Sequence, residues 1–550
     1  MRRGVKSMSQ SAFDADQPAR EERKPAGPVV SEWLISLWLT LLGAAATAGW
    51  APLAHVWMAW IAFAVLAACI MQAPAPGRAF VRAFFFAMGF HTVGHGWAFS
   101  ALLHQTAAGL LWSFVGSALF ITYLAMFLAV PAFVCRLLFQ RQQTGNATSW
   151  TNRAIWLPAV GLALAWTGAE ALRGALFNGF DSLGAGYLFS GWPLRGWVPV
   201  LGVYGCSLLF FASTAVAGAA WVNRRDSTRW RAALGAVSAV LVLAGGAVLD
   251  TKQWVQSDGV QLSFRLIQGG VPQREKFDPL ERQRQITTYV EAITAAPADL
   301  IVTPETAFTV GLTELDPAVL STIRAFSAAT RSHIFLGMPY LDAQGGERNS
   351  MFHVIPGQSE LPRYDKTRLM PFGEYAPTGL GWFTERLSVA LNNLTPGRTD
   401  QPPFDTRVGD QVAKIGVLNC HEDLSSVDAR RWANKVGLLI NPGNLAWFDG
   451  TLALPQRLQV ARIRALEIGR PLLRVTNTGA TAHIDQKGRE IDQLPSQKTG
   501  VLTGSVQPTG GLTPFARFGN LAALLLACFL LLCAVAGALP TKRSSTSHER

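Results

Sequence analysis

The chain has few cysteines and lacks the short motifs that identify many enzyme classes. Five of its six cysteines lie in or beside apolar runs, and only Cys420 lies in the polar part of the chain. This distribution does not form a disulfide framework. The sequence has no Walker motif, no G-x-G-x-x-G between a strand and a helix and no internal repeat, and residues 250–515 have no metal-ligand spacing. Nucleotide binding, metal chemistry and repeat architectures are therefore not indicated.

Long apolar runs, in contrast, are abundant. The first 30 residues are polar and aperiodic, which predicts a disordered tail and not a cleavable signal peptide. Several of the runs that follow approach the ~20 apolar residues that span a bilayer. We predict eight transmembrane helices, near residues 33–49, 53–72, 80–101, 109–135, 155–172, 197–222, 231–249 and 518–539.

Basic residues between these runs predict the orientation of the chain. The net charge of +12 falls mostly in short loops and tails, so it indicates membrane orientation and no nucleic-acid partner. Lys and Arg precede the first predicted helix and follow the second, fourth, sixth and eighth. The positive-inside rule then places both termini in the cytoplasm. We predict a cytoplasmic tail at residues 1–30, helices one to seven within 31–250 and an extracytoplasmic domain at 251–515. Helix eight follows within 516–540, and a second cytoplasmic tail at 541–550.

The extracytoplasmic segment has a different pattern from the rest of the chain. Two stretches, 280–296 and 455–468, show apolar spacing of helical period. Short apolar strands alternate with such helices, near residues 262–268, 299–303, 333–338, 351–355, 414–418, 436–440 and 472–476. This alternation predicts a layered α/β domain that buries a core of its own.

Three polar stretches in this domain suggest chemistry. Cys420 follows an apolar strand, Glu305 ends the strand Leu-Ile-Val-Thr-Pro-Glu, and Lys366 and Glu374 share a later polar stretch. A cysteine reacts as its thiolate and needs a base or a cation beside it. Each residue alone also has an ordinary explanation. Cys420 could be a buried thiol, Glu305 a helix cap, Lys366 a solvated charge and Glu374 a loop residue.

Together the three stretches resemble the nitrilase superfamily. The resemblance implies an αββα sandwich with a catalytic triad of Glu305, Lys366 and Cys420. In that triad Glu305 is the general base, and Lys366 stabilises the oxyanion with a backbone N–H. The resemblance also implies three supporting residues, Glu374, His421 and Glu422. It implies a substrate groove lined by Asn349, Trp447 and Phe448.

The membrane frame around this domain resembles the apolipoprotein N-acyltransferase family of the bacterial inner membrane. Four further motifs contribute to the similarity, at residues 191–194, 202–205, 462–467 and 476–479. The resemblance implies that a fatty acyl chain moves from a membrane phospholipid to the amine of an N-terminal S-diacylglyceryl-cysteine in an apolipoprotein, through a thioester on Cys420. It implies a periplasmic catalytic domain, contact with membrane lipids, and neither a cofactor nor a metal ion.

Three positions depart from the family pattern. His421 replaces the usual aromatic residue, Leu445 replaces an acidic residue, and Gly270 replaces an asparagine near the start of the domain. None belongs to the triad, so we expect them to affect the shape of the acyl or peptide groove.

Two other functions remain as alternatives. A membrane-tethered amidase would use the same Glu-Lys-Cys triad on a small amide, although a tether needs only one helix. A transporter with an extracytoplasmic sensor domain would need polar residues deep within several helices, and these segments contain few. Eight predicted helices favour lipid as a substrate.

Overall fold

The computed structural model describes residues 31–140, 156–222, 229–379, 381–382 and 393–538. Its amino-terminal part is helical, with α1 to α8 at Glu32–Ala46, Val56–Met71, Pro76–Gly94, Trp97–Gln105, Gly109–Gln140, Trp156–Ala175, Val198–Val222 and Arg229–Asp250. The carboxyl-terminal helix of the described residues is Leu521–Ala538. The predicted tails at residues 1–30 and 541–550 lie outside the described residues.

All eight predicted apolar segments coincide with helices, but the third prediction is wrong in one respect. The segment 80–101 is not one helix, because α3 ends at Gly94 and α4 begins at Trp97. Three helical stretches are long and apolar enough to cross a membrane, namely Glu32–Gly49, Gly109–Phe139 and Leu194–Val222. Val56–Met71, Gly235–Asp250 and Leu521–Ala536 are shorter apolar helices. The region therefore suits a membrane, and the number of spans stays a prediction.

Close backbone approach holds α1 against α3. A Cβ on Gly43 would lie 1.9 Å from the carbonyl oxygen of Phe86, and a Cβ on Gly89 would lie 1.9 Å from that of Thr40. Only glycine fits at these two positions, as in other tightly packed membrane helices. Behind them Phe63 lies at the centre of an aromatic cluster, with ring centroids 5.1–6.0 Å from those of its neighbours Phe86, Phe90, Trp166, Phe210 and Phe211.

Strands dominate the second part of the chain. Strands β1 to β14 are Gln256–Ser257, Leu262–Gln268, Leu300–Val302, His333–Leu341, Glu347–Val354, Arg363–Asp365, Phe404–Val408, Gln411–Val417, Leu438–Gly443, Leu472–Thr476, Ala482–Ile484, Glu490–Gln493, Gly500–Val506 and Thr509–Gly510. Helices α9 to α15 are Gln273–Lys276, Arg282–Thr294, Pro317–Thr330, Ser426–Arg430, Ala453–Ile468, Pro514–Phe518 and Leu521–Ala538. The seven predicted strands and two predicted helices are all present, with small shifts at their ends.

The strands form two six-stranded sheets. Their orders are β13-β2-β3-β4-β5-β6 and β12-β11-β10-β9-β8-β7, and β1 pairs with β14. Within each sheet the three central strands are parallel, β2-β3-β4 and β8-β9-β10. Apolar residues of both sheets share one core, for example Leu266, Val302, Ile415, Leu439 and Leu473. The carboxyl ends of β3, β8 and β9 precede Glu305, Cys420 and Asn444, respectively.

Helix α13, Ala453–Ile468, connects the sheets to the helical region. Its apolar side packs in the core of the sheets through Leu458, Ala461 and Ala465. Its polar side chains bond to helical-region backbone, because Gln456 donates to Gly94 O at 3.1 Å and Glu467 accepts from Val203 N at 2.8 Å. A helix buried on all sides is expected where two packed regions meet.

Candidate active site

Two carboxylates, a lysine and an amide form a buried cluster at the strand ends. The Lys366 Nζ donates to Glu305 Oε1 at 2.8 Å and to Glu374 Oε1 at 2.9 Å. The Asn349 amide bridges the same two oxygens, at 2.7 Å from Glu305 and 2.8 Å from Glu374. The second oxygen of Glu305 accepts the backbone N–H of Asn444 at 2.8 Å. Glu305 is thereby fixed in one orientation.

Cys420 lies beside this cluster and lines the same cavity as Glu305 and Lys366. It starts a short 3-10 helix, Cys420–Leu424, and has a left-handed backbone with φ of 50°. A non-glycine residue rarely adopts this conformation, and it is common at functional turns. The turn ends the apolar run of β8 and brings Cys420 to the cavity.

The pKa shifts in the cluster point to base catalysis and not to a preformed thiolate. Burial, with the nearby charge of Glu305, raises the pKa of the Cys420 thiol to about 12. Burial also raises the pKa of Glu305, but the Lys366 charge and several hydrogen bonds outweigh burial and lower the net value. At neutral pH the pair is a thiol beside a carboxylate, so the carboxylate can accept the thiol proton.

A second buried network lies under Cys420. Arg457 donates from Nη2 to the Cys420 carbonyl at 3.0 Å and also to Asp423. Arg474 donates to the other oxygen of Asp423 at 2.9 Å. The Arg457 charge lowers the pKa of Cys420, although burial is the larger effect. This network holds the strained turn and places positive charge near the sulfur.

Glu422 ties the cysteine turn to the lysine loop and does not face the cavity. Its carboxylate accepts from the Tyr364 hydroxyl at 2.8 Å, from Thr367 N at 2.6 Å and from Asn419 N at 2.6 Å. Tyr364 and Thr367 lie on either side of Lys366 in the chain, so their bonds to Glu422 set the distance between the lysine and the cysteine. Its arrangement agrees with a supporting position.

A cavity of about 550 Å³ opens from Cys420 towards the helical region. Glu305, Lys366, Asn349 and Cys420 form its polar end. The rest of its lining is largely aromatic and aliphatic, including Trp97, Phe120, Tyr123, Phe180, Trp447 and Phe448. A cavity that is polar at one end and apolar along its length suits a substrate with a reactive group on a hydrocarbon chain.

The predicted groove residues Trp447, Phe448 and Asn349 all line this cavity. Phe448 packs edge-on against Trp97 of α4 with ring centroids 4.8 Å apart. Asn349 also makes contacts that the sequence did not indicate, because its amide bridges the carboxylates of Glu305 and Glu374. The break between α3 and α4, which the sequence analysis missed, places Trp97 at this wall.

The three family departures take different places. His421 donates from Nε2 to the Asn178 carbonyl at 3.2 Å, and its ring lies 5.7 Å from that of Phe180. Leu445 is buried in the apolar cluster with Trp97 and Phe448. Gly270 has φ of 65°, a left-handed conformation that glycine adopts without strain, and a Cβ there would lie 2.7 Å from Thr499 Oγ1. His421 and Leu445 thus shape the surroundings of the cavity.

Several neighbours of the cluster were not predicted. Asn444 supplies its backbone N–H to Glu305, Arg457 holds the Cys420 carbonyl, and Asn178 reaches the site from the loop after α6. Lys276 is buried and donates from Nζ to the Glu305 carbonyl at 3.2 Å. Their positions in the sequence carry no signal, since none of them belongs to the three polar stretches that predicted the site. Among the described residues, no group of three or more His, Cys, Asp or Glu side chains could hold a metal ion.

Two parallel-centred sheets with glutamate, lysine and cysteine at their strand ends define an α/β domain of the carbon–nitrogen hydrolase class. Residues 264–513 match the family model described as carbon-nitrogen hydrolase. Among solved structures, an amidase from Nesterenkonia sp. is similar, with 18% identity and a TM-score of 0.35 over 49% of this chain and 96% of that one. A carbon-nitrogen hydrolase from Helicobacter pylori G27 is also similar, with 14% identity and a TM-score of 0.32 over 45% of this chain and 89% of that one.

The helical region and the full-length relatives specify the family further. Residues 42–216 match the model of the apolipoprotein N-acyltransferase N-terminal domain. The chain is 36% identical to an apolipoprotein N-acyltransferase of Ralstonia nicotianae, over 90% of this chain and 92% of that protein. It is 34% identical to one of Nitrosomonas europaea, over 92% and 97%, respectively. The chain belongs to the apolipoprotein N-acyltransferase family.

Proposed function

We propose that this protein transfers a fatty acyl chain from a membrane phospholipid to the amine of an N-terminal S-diacylglyceryl-cysteine in an apolipoprotein. The carrying observation is the cavity that joins the Cys420 sulfur to a largely apolar wall of membrane-type helices. Family membership supports the same activity. The lining residues fit an acyl chain better than a small amide, because most of the lining is apolar and its charged residues, Glu305, Lys366 and Glu374, belong to one cluster.

In the first step the Cys420 sulfur attacks the ester carbonyl of the phospholipid while Glu305 takes the thiol proton. Negative charge develops on the carbonyl oxygen, where the Lys366 ammonium and the backbone N–H of His421 stabilise it. The intermediate collapses to a thioester on Cys420. The lysophospholipid oxygen leaves and takes the proton back from Glu305.

In the second step the α-amine of the apolipoprotein attacks the thioester. Glu305 accepts a proton from the attacking nitrogen, and Lys366 again stabilises the oxyanion. The sulfur leaves as thiolate and recovers its proton from Glu305, so the enzyme returns to its starting state. Aromatic side chains around the sulfur keep water from competing with the amine.

The supporting residues have separate tasks in this proposal. Glu374 shares Lys366 with Glu305, so that the ammonium is held by two carboxylates and cannot rotate away. Glu422 fixes the spacing of the lysine loop and the cysteine turn. Trp447 and Phe448 line the part of the cavity that takes the acyl chain.

The proposed membrane arrangement has eight spanning helices, both termini in the cytoplasm and an αββα catalytic domain in the periplasm. The apolar helices, the distribution of Lys and Arg, and the shared core of the two sheets support it. It puts the open end of the cavity where phospholipid chains are present.

Acyl transfer by the purified protein tests the proposal. We expect labelled acyl groups to pass from phospholipid to a diacylglyceryl lipopeptide, and the intact protein to carry a hydroxylamine-sensitive acyl adduct. Cys420→Ala should lose the adduct and reduce transfer by roughly 10⁴-fold or more. Cys528→Ala, which changes an exposed cysteine, is the matched control and should keep both. Transfer that survives in Cys420→Ala would exclude the mechanism, and turnover of small amides without lipid transfer would favour the amidase alternative.

A further inference from the structure

A second buried lysine lies next to the site, and the mechanism above does not use it. Lys276 ends the short helix Gln273–Lys276 and exposes only 2% of its surface. Its Nζ donates to the main-chain carbonyl of Glu305 at 3.2 Å. A fully buried ammonium is costly unless something nearby favours its charge.

The helix that carries Lys276 is linked to the cluster at a second point. Gln273 accepts the Asn444 side-chain amide at 2.8 Å, and the Asn444 backbone N–H holds Glu305 Oε2 at 2.8 Å. Glu305 is therefore held from this side through both its main chain and its carboxylate. The neighbouring Phe277 lines the cavity.

The partners of the buried cations around Cys420 show what sets Lys276 apart. Lys366 contacts two carboxylates, and Arg457 and Arg474 both contact Asp423. Glu422, two residues after Cys420, has its own cation in Arg431 at 3.9 Å. Within the part of the chain that the structure describes, Lys276 forms no ion pair within 4.0 Å, and its acceptor is a neutral carbonyl.

The charges around the sulfur therefore do not cancel. The groups concerned are three carboxylates and four cations, Glu305, Glu374 and Asp423 with Lys276, Lys366, Arg457 and Arg474. Three negative and four positive charges leave one positive charge while Cys420 is a thiol. During the reaction Glu305 takes the thiol proton, so one negative charge moves from Glu305 to the sulfur and then to the carbonyl oxygen. The surplus positive charge of the cluster stays constant, and its sign stabilises a negative charge at both of these atoms.

We propose that Lys276 is a positioning residue that holds the Glu305 main chain and keeps a surplus positive charge beside Cys420, so that the thiolate and the oxyanion form at lower cost. The inference rests on the proposed function in that Cys420 is the nucleophile. Burial lowers the pKa of Lys276 to about 8, while Glu305 and Cys420 act in the opposite direction. The lysine thus keeps most of its charge at neutral pH.

Alkylation of Cys420 by iodoacetamide tests this role without any acyl transfer. The reagent is neutral, so its approach does not depend on the lysine charge, and mass spectrometry of the Cys420 peptide separates it from the other cysteines. Lys276→Met removes the charge and the donor at similar side-chain length. We expect alkylation about tenfold slower at pH 7.5 and a profile displaced by about one pH unit to higher pH.

Two variants separate charge from structure. Lys414→Met removes an exposed lysine from β8, the strand that leads to Cys420, and should leave the profile unchanged. Lys276→Arg keeps the charge and should keep the profile within about half a unit. An unchanged profile in Lys276→Met, or equal losses in the Met and Arg variants when both fold, would overturn the proposal.

The unaltered protein decides the question if Lys276→Met does not fold. Alkylation should become about tenfold faster per pH unit while the thiolate is a small fraction. Above about pH 8, where Lys276 loses its proton, this slope should fall. A single slope through pH 9.5 would overturn the proposal. Because no lipid is involved, failure of acyl transfer in a separate assay would count against the proposed function and not against the role of Lys276.

Discussion

The two walls of the cavity are built on different principles. The wall made by the strand ends holds Glu305, Lys366, Glu374 and Asn349 in a network in which each polar group has two or more partners. The wall made by the helical region contributes rings and aliphatic side chains. The first fixes reacting groups in one geometry, and the second offers surface without directional bonds.

This difference teaches how one domain type acquires a lipid substrate. In the proposed mechanism the polar wall supplies the nucleophile, the base and the cation for attack on a carbonyl carbon, whether ester or amide. The apolar wall decides what can reach them, since burial of a chain favours long hydrocarbon groups by ~0.8 kcal/mol per CH₂. Chemistry and substrate choice are therefore separable by mutation.

After loss of Cys420 itself, the largest effect should come from the base on the polar wall. Glu305→Gln keeps the shape of the side chain and removes its ability to accept a proton, so the thioester-forming rate should fall by about 10²–10⁴-fold. Rapid-quench measurement of acyl adduct on Cys420 gives this rate directly. Glu314→Gln changes an exposed carboxylate of the same domain and is the matched control. An adduct rate within about twofold of normal would show that Glu305 is not the base.

The pH dependence of the same rate has a definite sign. Lys366 and hydrogen bonds bring the pKa of Glu305 below its ordinary value of 4.5 in spite of burial. The carboxylate stays ionised as the pH falls from 7 to 5, so the unaltered protein should keep its base over that range. The stabilising contribution of Glu305 is likewise present above pH 4.5 and is lost as the pH falls through the lowered pKa.

The catalytic cluster was accessible from the sequence because strand ends are locally encoded. An apolar run followed by polar residues predicts the end of β3 before Glu305 and of β8 before Cys420, and both strands end within three residues of these side chains. Cys420 stood out as the only cysteine in the polar part of the chain. The network itself was not predictable, because Asn349 and Glu374 meet only after two strands and a loop have folded.

The apolar wall shows where sequence reasoning fails. Its residues come from α4, α5 and the loop after α6, and an aromatic residue in an apolar run carries no sign of which face it occupies. The prediction of one helix over 80–101 was wrong because both parts are apolar. Only a turn at His95–Gly96 separates the two helices. Arg457 and Lys276 were missed because a buried cation has the same sequence signature as an exposed one.

A smaller loss should follow when the second carboxylate is changed. Glu374→Gln leaves Lys366 with Glu305 alone and removes one charged hydrogen bond, which corresponds to about a 10–100-fold decrease in transfer. Both half-reactions should fall together, because Lys366 serves both. Glu360→Gln, at an exposed position of the same domain, controls for the substitution. Loss confined to the amine step would instead place Glu374 at the acceptor.

The smallest effect should come from the apolar wall, and it should depend on chain length. Phe120→Ala shortens a ring that packs against Phe180 and lines the cavity, so donors with long acyl chains should lose contact that short chains never make. We expect KM for a long-chain phospholipid to rise about tenfold, with kcat and the short-chain KM changed by less than about twofold. Steady-state transfer with a series of donor lengths measures both quantities. Phe529→Ala, at an exposed position of the last helix, is the control for altered contact with lipid or detergent. Equal losses of kcat for all chain lengths would mean that this wall also positions the reacting groups, and the two walls would then not act separately.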